Sequence, residues 1–501
     1  MLKNIDENRR KIAHNIFQLL TVSARPLSVQ ELAEVFAISG DEEPAGIPKF
    51  DPSLREADAE SAVRTTCCSL IAIDDANDGK QVRFSHFSVR EFLASDRLGG
   101  LHSTGLSKYH VLPQLAHIFS AKVCLSVLLK LNCRIRKDNV EVMFPLATYA
   151  AKHWVDHVKS GDASSLVQLE GGIRRLFDKQ PQFAAWIWVY DTDNPSRPLL
   201  VDNYPPKPKA SPLYYAALCG FLNMVKYLAN SHPRDVNTRG RDGRTPLHAA
   251  LRNGHSDVSL ALLEEGADAN ARDDGGETPL QISSRRGDIK AMESLFNHKA
   301  KPDAENKDNE TPLSLASSKG SLAAVQLLLS HRPDLVNQQV ALKRTALHVA
   351  AMHGHQPIAQ LLLGQGADIN AEDGDRRTPL HLAADQGKDD IANLLLRRGA
   401  KVNVRDESNL TPLHLASLGG QLEVVELLLD KNARVNIKAD DGWTALHMAA
   451  YNGYLLVVES LIEGGATLDS KNDEGKTPSE LALESHHSAV VEKLANAKRS
   501  R

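Results

Sequence analysis

Gly475, Lys476 and Thr477 have the sequence of the last three residues of a phosphate-binding loop. Such a loop also needs a glycine five residues before Gly475, because its backbone curls closely around the phosphates, and position 470 is Ser. No complete Gly-x-x-x-x-Gly-Lys-Ser/Thr segment occurs in the sequence. We therefore interpret these three residues as a turn that enters a helix, and predict no nucleotide site and no cofactor.

Five histidines recur at a regular spacing in the second half of the chain and could be metal ligands. They are His248, His348, His381, His414 and His447. Metal ligands must converge on one point, whereas equivalent residues of stacked helical units lie about 10 Å apart. We predict instead that each ring makes a hydrogen bond to the loop of the neighbouring unit.

Ser85, His86 and Ser88 combine a hydroxyl nucleophile with a base, which suggests a hydrolase. No nucleophile elbow and no positioned acid accompany them. A capping box, Ser88-Val-Arg-Glu91, indicates instead that a strand ends here and that a helix begins at Ser88 and continues through Leu98.

The five cysteines match neither a disulfide framework nor a zinc site. Cys67 and Cys68 are adjacent, and no pair has zinc-finger spacing. Cys124 and Cys133 are predicted to be core thiols. With no acid–base pair, metal cluster or nucleotide loop, the sequence predicts no enzyme and no small-molecule substrate.

Composition narrows the class of protein further. The 501 residues are 42% hydrophobic and 24% charged, with a net charge of −4, so no nucleic-acid partner is expected. The N-terminus has no apolar signal-peptide core, and no uninterrupted apolar stretch reaches the roughly 18 residues of a membrane span. We predict an intracellular protein without a membrane partner, located in the cytoplasm, with the nucleus left open.

A phrase of the type Thr-Pro-Leu-His recurs nine times at intervals of 33 or 34 residues. Its copies begin at Ser211, Thr245, Thr278, Thr311, Thr345, Thr378, Thr411, Thr444 and Thr477. In the unit at Thr378, the threonine is typical of a helix N-cap and Pro379 of the first helical position. Gly387 and Gly399 then predict the ends of two successive helices.

A period near 33 with this phrase resembles the ankyrin repeat family. The resemblance implies a mostly α fold, in which about nine repeats stack as antiparallel helix pairs with β-hairpin fingers projecting to one side. It also implies binding of a protein partner along the concave face. Gln281, Ser283 and Ser284 depart from the phrase in the third unit, where we expect locally soft packing.

The family's contact positions are the residue before each Thr and the two residues seven and eight positions after it. The residues predicted to carry partner binding are Arg244, Arg252, Arg285, Arg286, Met352, Arg377, Leu410, Leu418, Trp443 and Tyr451. This face is basic early and apolar or aromatic late, and aromatic and Arg side chains dominate many interfaces. We therefore hypothesise a partner with an acidic segment and an apolar anchor; the alternative is that Trp443 packs on its own finger and the neighbouring repeat.

The N-terminal 200 residues lack the repeated phrase. A capping box at 28–31 opens a helix, 40–56 reads as loop, and 69–73 and 81–84 are strand-like around a hairpin at 75–79. This pattern predicts a winged-helix unit over residues 1–100. Its candidate recognition helix carries Glu31 and Glu34 without Lys or Arg, which disfavours DNA binding.

The phrases at 25–38, 84–95, 149–157 and 184–186 resemble the winged-helix and helical segment that follows the NTPase in fungal NACHT-ankyrin (STAND) proteins. In that family the segment joins a nucleotide switch to an ankyrin sensor array. Because the phosphate-binding loop is missing, the switch does not transfer. We expect either the C-terminal part of a larger receptor or a free-standing descendant.

Between the two regions the sequence reads as helical, with a Pro-rich join at 205–209. Two apolar stripes are predicted, one of Leu112, Leu115, Ile118 and Phe119 and one of Cys124, Leu125, Leu128 and Leu129. The predicted domains are 1–100 (winged helix), 101–204 (a helical region packing on the array), 205–244 (linker and degenerate first repeat) and 245–501 (repeats with a C-terminal cap). The predicted function is a non-enzymatic interaction scaffold; the alternative is the sensor half of a fungal NACHT-type immunity or incompatibility receptor lacking its NTPase.

Overall fold

A computed structural model describes residues 2–42, 46–76, 79–102, 106–161, 163–178, 180–195 and 203–499. Over these residues the chain is mostly helical, with five short strands. It divides into two compact units, residues 1–241 and residues 242–501. Each unit is described by itself below.

The first unit begins with helices around a small antiparallel sheet of order β1-β5-β4. The β4–β5 hairpin pairs Ile71 with Phe84 and Ala76 with Gly79, which confirms the predicted wing; its turn at 77–78 lies outside the described residues. The capping box from Ser28 to Glu31 is also present. The elements are α1 (Arg10–Val22), β1 (Leu27–Ser28), α2 (Val29–Ala33), β2 (Ile38–Glu42), β3 (Pro48–Phe50), α3 (Ala59–Cys67), β4 (Ile71–Ala76), β5 (Gly79–Phe84), α4 (Phe87–Leu93) and α5 (Asp96–Gly99).

Two local predictions are wrong in this region. Residues 40–56 are not all loop, because β2 and β3 pair as a second hairpin with Ile38 opposite the buried Phe50. The helix predicted to run from Ser88 through Leu98 begins instead after His86, whose Nδ1 accepts a hydrogen bond from the Ser88 amide, and it ends at Leu93. In both places burial or a nearer acceptor overrides a local sequence pattern.

Glu34 forms a buried ion pair that joins the recognition-helix region to the segment following β3. Its carboxylate is 2% exposed and accepts hydrogen bonds from Arg55 Nε and Nη2 at 2.7 and 2.9 Å. Burial raises the pKa of Glu34, and Arg55 opposes that shift. Glu31 is likewise buried and paired with Arg25. Both acids therefore lie in the packing of the domain.

We expect Glu34→Gln to lower the free energy of unfolding by about 2 kcal/mol, because the charge of the half-buried Arg55 loses its partner. Urea unfolding followed by circular dichroism measures this change. Glu56→Gln is the matched control, because Glu56 is exposed and lies 3.5 Å from Arg9. Equal stabilities of the two variants would contradict the prediction.

The helical region of the first unit buries a cluster of aromatic side chains. The predicted stripe on α6 is wrong in part, because Leu112 and Leu115 are exposed; the predicted core thiol Cys124 is buried but Cys133 is exposed. The helix buries its small side chains, such as Ala116, against its neighbours. The elements are α6 (Pro113–Leu128), α7 (Lys137–Met143), α8 (Ala147–Ser160), α9 (Ala163–Asp178) and α10 (Gln180–Val189).

The first repeated phrase belongs to the same unit, as α11 (Pro212–Cys219) and α12 (Leu222–Ser231). Trp186 lies 6.1 Å from Tyr215 between ring centroids, and Trp154 lies 5.4 Å from Phe221. Aromatic contacts of this kind add to the apolar area that both partners bury. The helical region is therefore packed directly against the first repeat.

The second unit consists of eight further helix pairs, and each first helix contacts the first helix of the next pair. A 3₁₀ turn at Pro333–Asn337 accommodates the extra residue of a 34-residue repeat, and Pro233–Asn237 forms a similar turn in the first unit. The pairs are α13 (Pro246–Arg252) and α14 (Ser256–Glu264), α15 (Pro279–Arg286) and α16 (Ile289–Asn297), α17 (Pro312–Lys319) and α18 (Leu322–His331), α19 (Ala346–His353) and α20 (Gln356–Gly364), α21 (Pro379–Asp385) and α22 (Asp389–Arg397), α23 (Pro412–Leu418) and α24 (Leu422–Asp430), α25 (Ala445–Tyr451) and α26 (Leu455–Glu463), and α27 (Pro478–Glu484) and α28 (Ser488–Arg499).

The fingers between repeats are tight turns, and no strand is assigned within residues 242–499. In one finger the Asp373 amide donates to the Arg377 carbonyl, and Asp373 Oδ1 accepts from the amides of Asp375 and Arg377. These bonds close the turn before a strand pair can extend. Successive tips are linked by backbone bonds, such as Glu407 N–H to the Asp375 carbonyl at 2.9 Å.

Candidate functional site

The periodic histidines tie neighbouring repeats together, as predicted. In His381, Nδ1 faces the Thr378 amide at 3.1 Å and the Thr378 hydroxyl at 2.9 Å, and Nε2 faces the Leu410 carbonyl at 3.2 Å. An Nδ1 that accepts from an amide leaves Nε2 as the donor. His348 and His447 make the equivalent bonds to carbonyls 29 residues ahead. The ring is thus both a helix cap and a link between repeats.

Gln281 takes the place of a histidine and makes the same connections. Its Oε1 accepts from the Thr278 amide at 2.8 Å, and its Nε2 donates to the Glu310 carbonyl at 2.7 Å. The local softness predicted for this repeat has no counterpart in these hydrogen bonds. Ser314, in the next repeat, caps its helix but bonds within its own turn.

Three of the arginines before the Thr positions pair with the following finger. Arg377 Nε lies 3.2 Å from Asp406 Oδ2, and Arg344 Nε lies 3.3 Å from Asp373 Oδ2. Arg244 lies closer to Asp242 of its own finger, at 3.2 Å, and its Nε is 3.8 Å from Asp273 Oδ2. The partner aspartates of the following fingers are buried. These arginines hold repeats together, and their charge is offset within the array. The predictive signal was an Arg followed 29 residues later by an Asp.

The other early basic residues surround Glu277. Arg252 Nη1 and Arg285 Nη2 lie 3.2 and 2.7 Å from its two oxygens, and Arg285 also lies 3.5 Å from Glu310. Arg286 Nη1 donates to the Arg252 carbonyl at 2.9 Å. Burial raises the pKa of Glu277, and the two arginines oppose that shift. The early face is therefore a charge network rather than a simple basic strip.

The late face carries four apolar or aromatic side chains at the predicted contact positions. These are Leu410, Leu418, Trp443 and Tyr451, which we call the apolar strip. Leu418 is 43% exposed and Tyr451 is 48% exposed, and the Trp443 and Tyr451 rings meet edge to face at 5.5 Å. In the next repeat the corresponding positions hold an ion pair, Lys476–Glu484, at 2.8 Å. A polar boundary thus follows the strip.

Met352 lies outside this strip. It is half-buried, and its sulfur lies 3.7 Å from Arg344 Nη1. It therefore belongs to the early, charged part of the contact face.

The residues that suggested other chemistry have structural positions. Gly475, at φ +77°, lies in a finger, and Thr477 caps the helix that follows. Among the described residues, no group of three His, Cys, Asp or Glu side chains is placed to hold a metal ion. No helix in the described part of the chain is long and apolar enough to cross a membrane.

Comparison with known families agrees with this architecture. Overlapping matches to the family described as ankyrin repeats (3 copies) run from residue 194 to residue 500, and the chain belongs to the ankyrin repeat family. Residues 2–104 match the winged helix domain of GPI inositol-deacylase, which is the type of winged helix associated with NACHT proteins. These repeats point to a role in protein interaction.

Individual relatives match over only part of their length. The azaphilone pigments biosynthesis cluster protein L of Monascus ruber is 29% identical over 283 residues, which cover 53% of this chain and 58% of the relative. Alpha-latrocrustotoxin-Lt1a of Latrodectus tredecimguttatus is 48% identical over 56 residues, 11% of this chain and 4% of the toxin. The human transient receptor potential cation channel subfamily A member 1 is 43% identical over 63 residues, 12% of this chain and 6% of the channel.

Proposed function

We propose that this chain is a non-enzymatic scaffold that binds a protein partner through the concave contact positions of its second unit. The observation that carries the proposal is the apolar strip. Leu418 and Tyr451 of this strip are exposed at contact positions, whereas the arginines at the early contact positions are held by acids of the array. Exposed aromatic and aliphatic groups gain most from being covered by a partner.

The predicted contact residues differ in the role that we propose for them. The apolar strip supplies the binding energy. Arg252, Arg285 and Arg286 supply a polar rim. Substituting one of these rim charges should therefore change the affinity for the partner little. Arg244 and Arg377 keep the repeats in register, and substitution there tests stability before it tests binding.

The test is affinity capture with the full chain, comparing it with Trp443→Ala/Tyr451→Ala by quantitative mass spectrometry. We expect the captured amount of at least one partner to fall about ten-fold or more in the variant, since aromatic hot-spot residues each contribute about 2 kcal/mol to the free energy of binding. Leu260→Ala/Leu456→Ala is the matched control, because both leucines are exposed on second helices of the repeats. If the aromatic variant captures every partner as well as the native chain does, and the circular dichroism of the variant is unchanged, the proposal fails.

A second candidate is suggested by the winged-helix match: this chain could serve as the sensor part of a NACHT-type immunity receptor, working with an NTPase domain. In this role, binding at the repeats would be communicated to the NTPase. The same capture experiment tests it, because a NACHT NTPase should then be retained by the full chain. Its retention should persist in Trp443→Ala/Tyr451→Ala, since the attachment would involve the first unit.

A further inference from the structure

Exposed carboxylates line the finger tips next to the apolar strip. Asp440 and Asp441 form the tip of the turn that ends at Trp443, where the Ala439 amide donates to the Trp443 carbonyl at 2.8 Å. Glu407 stands on the preceding tip and Asp473 on the following one, and the backbone bonds between tips hold all of them in one row. These four acidic residues, Glu407, Asp440, Asp441 and Asp473, are called the acidic tips.

The acidic tips have no ion-pair partner within residues 242–499. Asp440 accepts a hydrogen bond from the Asn409 amide group. The buried aspartates of neighbouring fingers, such as Asp373 and Asp406, are in contrast paired with arginines. The row therefore keeps its negative charge at the surface.

Three basic residues of the same fingers are engaged elsewhere. Arg405 Nη1 donates to Asn409 Oδ1, and Lys438 Nζ donates to the Lys471 carbonyl at 2.7 Å. Lys476 is held between Glu474 and Glu484. None of these three cations is paired with the acidic tips.

We infer that the late half of the array binds a basic peptide segment that carries one or two large apolar side chains. The apolar anchor covers Leu418, Trp443 and Tyr451, and the flanking Lys or Arg side chains reach the acidic tips. Partners meet with complementary charge, which steers association and sets orientation. The inference rests on the proposed function, and it replaces the acidic partner segment predicted from the sequence.

The polar boundary of the strip limits the length of the segment. Towards the C-terminus the strip ends at the Lys476–Glu484 pair, and towards the N-terminus it ends at Arg377, which is paired with Asp406. Two repeats lie between these limits, and at a helix spacing of 8–10 Å they occupy about 20 Å of the array. An extended peptide covers this length with about six residues.

The test measures fluorescence anisotropy of four synthetic peptides with the full chain at physiological salt. All are fluorescein-labelled 12-mers: Arg-rich with a central Leu and Phe, Glu-rich with the same Leu and Phe, Arg-rich with Ser in place of the anchors, and Ser-rich with the anchors. We expect the first to bind at least ten-fold more tightly than each of the others, because both contributions are then present.

Charge reversal at the tips separates this inference from general stickiness. Asp440→Lys/Asp441→Lys should weaken binding of the first peptide at least ten-fold. The affinity for the Ser-rich peptide with the anchors should stay unchanged. Glu264→Lys/Glu265→Lys is the control of equal charge change, on exposed residues at the end of α14, and should keep most of the affinity.

The outcomes distinguish the inference from the proposed function. One outcome is a partner whose binding requires Trp443 and Tyr451 but is unchanged by Asp440→Lys/Asp441→Lys. This result supports the proposed function and overturns the inference of a basic segment. Equal binding of the Arg-rich and Glu-rich anchor peptides, or binding of none of the four, also overturns it.

Discussion

Replacing His414 with alanine is expected to lower the free energy of unfolding of the second unit by about 3 kcal/mol, within the range for emptying a buried site and orphaning its hydrogen-bond partners. The ring is 1% exposed. Its Nδ1 faces the Thr411 amide and hydroxyl at 3.1 and 2.8 Å, and its Nε2 donates to the Ile437 carbonyl at 3.0 Å. Alanine removes all three contacts at once, so the His414 half of the α23 capping box is lost together with the link to the next finger.

The chain supplies its own control for this substitution. Gln281 occupies the equivalent position in α15, within the second helix pair of the second unit. It makes both the cap and the cross-repeat bond. His414→Gln should therefore retain most of the stability that His414→Ala loses. Urea unfolding followed by circular dichroism gives the free energies, and hydrogen exchange over residues 411–451 locates the loss. Equal unfolding curves for the two variants would show that the hydrogen bonds contribute little.

The repeats could be predicted from sequence because their determinants are local. The Thr-Pro start of each unit caps and opens a helix within four residues, and Gly387 adopts the positive φ that ends one. Because the phrase recurs at a fixed period, the local prediction of one helix pair extends to an array of stacked pairs. The role of the histidines could also be predicted, because a neutral imidazole has one donor and one acceptor and the repeat offers one of each.

The contact face was harder to predict, because its charge depends on residues distant in sequence. Arg377 looks like a free cation until stacking brings Asp406 beside it, 29 residues later. The same holds for Arg252 and Arg285, which converge on Glu277. A count of arginines along the contact positions therefore overstated the basic character of the early face and hid the acidic tips.

The first unit shows a related limit. Glycine, proline and acidic residues at 40–56 favour loop, yet burial of Phe50 beneath a short hairpin decides the local structure. At α4, His86 precedes Ser88 by two residues and caps the helix in its place. In each case tertiary contact outweighs a propensity of a few tenths of a kcal/mol to about 1 kcal/mol.

The second large effect is acid sensitivity of the repeat array. Burial lowers the pKa of His414 to about 4, and burial also lowers the pKa of His348, His381 and His447. The folded rings are neutral at pH values where the unfolded chain, with an ordinary histidine pKa near 6.5, takes up protons. Their contribution to stability is therefore complete above about pH 6.5 and is lost as the pH falls towards 4.

Between these two pKa values His414 removes about 1.4 kcal/mol of stability per pH unit. Between pH 6.5 and 5 most carboxylates stay ionised, so we expect the urea midpoint of the second unit to fall steeply there. His414→Gln isolates one ring, since glutamine keeps both bonds but does not titrate. From pH 6.5 to pH 5 the unfolding free energy of the native chain should fall by about 2 kcal/mol more than that of the His414→Gln variant. Parallel pH profiles for the two proteins would mean that His414 takes up its proton equally well in the folded array.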